Sequence, residues 1–225
     1  MTKHLWKLIL LVILAVLVFF WLIKAPIMSS YLSNKMKVPV SVGTISMWPS
    51  KTTIHNFKIM NPHGYKSKTA FKADRTEIDY QFKHLFADPS EINQITLDTV
   101  FLSIELTNAT GSENNWTAIG SRMPKEPSKK EVIIHSLTLN NITVEVQGIG
   151  AKLLGVAGTR HFDRMQFNEI DSREGFPTKE LVNKIFEGAG IQQFLKNFFN
   201  PANQIQKALN PFNIFGKAEN VETEN

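Results

Sequence analysis

Ile92-Asn93-Gln94-Ile95-Thr96-Leu97-Asp98-Thr99-Val100-Phe101-Leu102-Ser103-Ile104-Glu105-Leu106 is the stretch that decides how this chain folds. Ile95 and Leu97 alternate with polar neighbours, the pattern of a strand with one buried face. Beyond Thr99 the alternation resumes out of step, on Val100, Leu102, Ile104 and Leu106. Such a slip predicts a bulge or bend in mid-strand.

The same texture extends in both directions. Upstream, Thr76, Ile78, Tyr80 and Phe82 alternate with Glu77, Asp79 and Gln81, and Thr52 to Ile59 carries Phe57 and Ile59 on one side. Val38, Val40 and Val42 alternate, then Ile45 and Met47 continue in a shifted phase before a turn at Trp48-Pro49-Ser50. Asn61-Pro62-His63-Gly64 supplies another turn. Downstream, Val132 to Val146 places Leu137, Leu139, Ile142, Val144 and Val146 around Asn140-Asn141, and Arg160 to Ile170 adds a weaker strand through Phe162, Met165 and Phe167. Half-polar alternation is the pattern of antiparallel sheets covered on one face, whereas parallel sheets give continuous apolar runs. The expectation is mainly β with helices: a curved, groove-like antiparallel sheet over 38–175. Thr107 to Lys130, rich in Asn, Gly, Ser, Pro and Lys, reads as an exposed loop, and Gly148-Ile149-Gly150 with Gly155 and Gly158 as a flexible turn.

The two ends of the chain differ from this middle. Leu8 to Ile23 is wholly apolar, and Leu5 and Trp6 lengthen the run enough to cross a hydrocarbon core of about 30 Å at 1.5 Å per residue. A cleaved signal peptide would have a shorter apolar region and a small-x-small site, whereas this run ends Trp21-Leu22-Ile23-Lys24-Ala25-Pro26. Trp6 and Trp21 stand near its ends, where indole rings favour the headgroup level. Residues 5–24 are expected to be an uncleaved transmembrane anchor and 25–37 a linker or helix extension. Lys3 and Lys7 on one side match Lys24, Lys35 and Lys37 on the other, so flanking charge assigns no orientation.

At 176–215 the period becomes helical. Thr178 precedes Leu181, Val182, Ile185 and Phe186; after Gly188 and Gly190, Ile191, Phe194, Leu195, Phe198 and Phe199 form an i, i+3, i+4, i+7, i+8 stripe. Asn200-Pro201 interrupts it, and Phe212 and Phe215 follow further on. The stripe suits either a helix packed on the apolar sheet face or an interfacial helix resting its aromatic rings in a bilayer. Ile191, Phe194, Leu195, Phe198, Phe199, Phe212 and Phe215 are therefore the candidate lipid or membrane contacts. Residues 216–225 read as a disordered tail.

Composition narrows the chemistry. The 225 residues carry 25 basic and 20 acidic side chains, scattered along the chain, an excess too diffuse for a nucleic-acid surface and compatible with anionic headgroups. The absence of cysteine excludes disulfides, Cys-based zinc sites and thiol nucleophiles. The six histidines have no metal-site spacing, and there is no nucleophile elbow or phosphate loop. Asp74, Glu77 and Asp79 are the nearest approach to an acidic cluster; Glu77 and Asp79 share the face opposite Ile78 and Tyr80 and are read as solvated. The sequons at Asn108, Asn115 and Asn141 accept glycan only in a eukaryotic secretory lumen. No enzyme, cofactor or metal is expected.

The order of features resembles the N-terminal unit of the AsmA-like family of bacterial inner-membrane-anchored proteins. The residues that carry the resemblance are the opening apolar helix, Val42-Gly43-Thr44-Ile45, Ile54-His55-Asn56-Phe57-Lys58-Ile59-Met60-Asn61-Pro62-His63-Gly64-Tyr65, Lys72-Ala73-Asp74-Arg75-Thr76-Glu77-Ile78-Asp79 and Ile92-Asn93-Gln94-Ile95-Thr96-Leu97-Asp98. Members of that family are often several times longer and repeat the β unit, whereas this chain has one. The resemblance implies a single-pass inner-membrane protein with its bulk in the periplasm, membrane lipid as partner, and a role in phospholipid transport or outer-membrane maintenance. The alternative is a structural or assembly factor that docks on an envelope protein complex without binding lipid.

Overall fold

A computed structural model describes residues 23–108, 110–123 and 131–171. Helix α1 (residues 23–36) leads into β1 (Val40–Ser41), β2 (Thr44–Trp48), β3 (Lys51–Met60) and β4 (Thr69–Asp79). A 3-10 turn at Phe82–Phe86, β5 (Ser90–Glu105), α2 (Asn115–Arg122), β6 (Val132–Gln147), α3 (Ile149–Leu153) and β7 (Gly158–Asp171) follow. The described strands make one seven-stranded, unclosed, curved sheet in the order β1-β3-β4-β5-β6-β7, with β2 also on β3. No helix among the described residues is long and apolar enough to cross a membrane. Nearly all of the 5–24 segment lies outside the described residues, as do the 176–215 helices.

The sheet is not wholly antiparallel. β5 and β6 run parallel over their whole length, from Ser90↔Val132 to Glu105↔Gln147. One-sided burial fixes which side chains alternate, not which way the neighbouring strand runs, and the connection at 106–131 is long enough to bring the chain back for a parallel partner. That connection is also not merely an exposed loop. Within it α2 buries Trp116 and Ile119, an i, i+3 pair set among mostly polar residues, and Met123 is buried just past its end. Asn114 caps the helix, its side chain accepting from Trp116 N and Thr117 N while Thr117 Oγ1 accepts from Asn114 N.

The slip expected at Thr99 is one point on a line that crosses the sheet. The ladders pair His55↔Arg75 and Phe57↔Ala73, Arg75↔Asp98 and Ala73↔Val100, Asp98↔Asn140 and Val100↔Ile142, Asn140↔Arg164 and Ile142↔Phe162. Between these pairs Asn56, Asp74, Thr99, Asn141 and Asp163 stand opposite one another, outside the ladder. Asn56, Thr99 and Asn141 have φ of 54°, 54° and 48°, the left-handed region. At the edge, β1 and β2 form one strand in a single register on β3, broken at Val42-Gly43 opposite Asn56. A Cβ on Gly43 would lie 2.9 Å from His55 O and 3.0 Å from Asn56 Cβ, so the crossing strand demands glycine there. A second, shorter line joins Asn93, His135 and Glu169, with Glu169 at φ 49°.

Thr99 is the costly member of the first line, because a β-branched side chain in this region is strained where Asn is tolerated. Thr99→Asn is expected to raise stability by about 0.5–1 kcal/mol and Asn141→Val to lower it by about 1–2 kcal/mol, both read from thermal unfolding midpoints.

Candidate functional site

Each break shifts the inward positions by one residue, and because the breaks are aligned, the shifts keep the apolar side chains on one face. Four rows cross the sheet. On one side of the main line lie Ile59-Phe71-Leu102-Val144 and Phe57-Ala73-Val100-Ile142-Phe162. On the other lie Ile54-Thr76-Leu97-Leu139-Met165 and Thr52-Ile78-Ile95-Leu137-Phe167. A fifth, Ile92-Ile134-Ile170, lies beyond the second line. Most of these side chains belong to a single hydrophobic cluster.

The rows are not equally covered. On β6 and β7, Val144, Met165, Phe167 and Ile170 are all buried. Toward β3, β4 and β5, however, Ile54, Phe71, Ile78, Ile95 and Leu97 are only half-buried. These side chains leave this part of the described apolar face incompletely covered. One polar atom intrudes on it: Thr76 Oγ1 is buried with no hydrogen-bond partner among the described residues.

The end of the sheet at Asn61 to Lys68 is held by buried polar groups. Where β5 outruns β4, the Asn115 side chain continues the ladder, accepting from Glu105 N at 2.9 Å and donating to Ser103 O at 2.9 Å and Asn61 Oδ1 at 2.8 Å. Trp116 Nε1 also donates to Ser103 O. The Glu105 carboxylate accepts from the amides of Lys66 and Ser67 and from Gln147 Nε2. Tyr65 donates to Asn114 O, and burial first, then the Glu105 charge, raises its phenol above the usual range. Asn115 is 0% exposed with its amide committed, so this sequon is closed to glycan in the folded chain. Nor is the glycine-rich segment after β6 a flexible turn: α3 begins there, and a Cβ on Gly150 would meet Asn108 O at 1.9 Å.

The outer face is ionic. Lys51 Nζ lies 3.4 Å from Asp79 and 3.6 Å from Glu77, so these carboxylates are paired as well as solvated. Arg75 also bonds Glu77, and this hydrogen bond is the main reason the Glu77 carboxyl sits below its usual range. His135 lies 3.2 Å from Glu169 and 3.6 Å from Glu91, and His84 3.3 Å from Glu91. No group of three or more such side chains among the described residues is placed to hold a metal ion.

The seven residues expected to touch lipid, Ile191, Phe194, Leu195, Phe198, Phe199, Phe212 and Phe215, all lie outside the described residues. What the sequence reading missed is the half-buried strip itself. The spacing of Ile54 and Phe57, Ala73 and Thr76, and Leu97 and Val100, an i, i+3 step recurring from strand to strand, signalled the line of breaks but not which side chains stay half-buried. No family model, curated protein or solved structure matches the chain.

Proposed function

We propose that this chain is a non-enzymatic, single-pass protein of a bacterial inner membrane, anchored by residues 5–24, whose periplasmic AsmA-like β domain handles phospholipid. The observation that carries this reading is the half-buried strip Ile54, Phe71, Ile78, Ile95 and Leu97 on an unclosed sheet. Acyl chains gain about 0.8 kcal/mol for each methylene taken out of water, and a one-sided apolar face next to a bilayer offers them such cover. The role that fits is phospholipid transport or maintenance of the outer membrane.

The test is native mass spectrometry of the gently purified full chain beside an Ile95→Gln/Leu97→Gln variant. Bound phospholipid on the parent, reduced severalfold in the variant, is the expected result. Equal occupancy in both, or a parent without lipid, overturns the reading. One observation favours the alternative of an assembly factor: among the described strands, β7 ends the sheet order and pairs only with β6. Crosslinking in cells from that edge would then capture one dominant envelope protein in place of lipid.

A further inference from the structure

The exposed large apolar side chains are unevenly placed. Met47 and Trp48, 64% and 67% exposed, sit at the tip of the β2–β3 hairpin. Phe82 and Phe86, 61% and 72% exposed, flank Lys83 and His84 in the 3-10 turn after β4, their rings stacked edge to face at 5.2 Å. Both features belong to the same end of the sheet. Lys51 pairs with Asp79, Tyr80 N donates to Ser50 O, and the Tyr80 hydroxyl donates to Trp48 O. Ile149 and Leu153, in α3, stand at the opposite end, where Glu105 pairs with Gln147.

The course of α1 says what faces the first end. Ser33 Oγ bonds Val40, Ser29 Oγ accepts from Val42 N, and Ala25 packs with Val42 and Ile45. The helix therefore runs antiparallel to β1 and β2, and its start at Ile23 is directed toward the end that carries Trp48. Trp48 lies three residues past Ile45, about 10 Å at 3.3 Å per residue. The hairpin tip therefore projects about 10 Å beyond the level of Ala25, on the side toward which the described helix start at Ile23 is directed and just after the apolar run of the sequence.

We propose that this end of the sheet, through Trp48, Phe82 and Phe86, rests in the headgroup layer of the bilayer that residues 5–24 span. The inference rests on the anchor reading above and adds a second point of contact, which fixes the tilt of the domain. Indole and phenyl groups beside a cationic side chain such as Lys83 are the composition that the interface favours. A rigid domain held by an anchor and by two aromatic loops presents its apolar face at a set angle to the lipid.

The chain has no cysteine, so single spin labels report depth directly. The full chain carrying Leu14→Cys, Trp48→Cys, Phe86→Cys or Leu153→Cys is reconstituted into vesicles of phosphatidylethanolamine and phosphatidylglycerol. Collision with oxygen is then compared with collision with a water-soluble nickel chelate. Oxygen preference severalfold higher at 48 and 86 than at 153 supports the proposal. Aqueous labels at 48 and 86 with a lipid-facing label at 14 overturn the docking and leave the anchor standing. An aqueous label at 14 overturns the anchor reading, and the docking then stands only if 48 and 86 face lipid. Labels at 48 and 86 shielded from both reagents indicate a protein contact and overturn it.

Discussion

Asn115→Asp is expected to cost about 3–5 kcal/mol, the scale of an uncompensated charge left in a protein interior. The substitution keeps the shape of the side chain and removes only its two N–H donors. Ser103 O and Asn61 Oδ1, which accept from them at 2.9 and 2.8 Å, would face a carboxylate instead. For a domain of this size the loss corresponds to a fall on the order of 10 °C in unfolding midpoint, measured by circular dichroism on the full chain in detergent. Asn115→Ala, which leaves unpaired groups without adding charge, should cost less, about 2–3 kcal/mol. The Asp variant also acquires a pH dependence of known sign. Burial would raise its carboxyl in the folded state above the unfolded value near 3.9, so the folded state binds more protons and the penalty grows as pH rises. A variant as stable as the parent at neutral pH would mean that Asn115 does not complete the β5 ladder.

Phe167→Ala should cost about 3–5 kcal/mol, read from the denaturant midpoint. Phe167 lies on the last of the described strands and is 2% exposed, packed into the row of Leu137 and Ile95. Phe162, on the same strand but across the main line of breaks, is half-buried, and Phe162→Ala should cost about 1–2 kcal/mol in proportion to its smaller burial. Equal costs at the two positions would show that the difference in cover across the line has no energetic counterpart.

Much of the sheet was legible because its signals are local. The out-of-step pairs Leu97 and Val100, and Leu139 and Ile142, mark in sequence the places where the backbone turns left-handed at Thr99 and Asn141. The hairpin at Pro49-Ser50 was equally plain. Strand direction was not, since Ile95 and Leu137 look the same whether β5 and β6 run together or opposed. Helix α2 was hidden because Trp116 and Ile119, with Met123 just past its end, carry its packing among mostly polar neighbours. The Asn115 cluster and the half-buried strip arise only when distant segments meet: Asn61 and Asn115 are far apart in the chain, as are Ile54 and Leu97.

β7 is fourteen residues long and, among the described strands, pairs only with β6; a bare flat edge of that length would be a template for aggregation. Its two interruptions, at Asp163 and Glu169, change what it can accept. An unbroken strand from another molecule can follow it only over Arg164 to Asn168 before inward and outward positions fall out of phase. A partner able to pair along the whole edge must carry its own i, i+3 steps opposite Asp163 and Glu169. On a bare rim, the creases that keep the rows aligned within the molecule would admit strands built to the same spacing and reject ordinary ones.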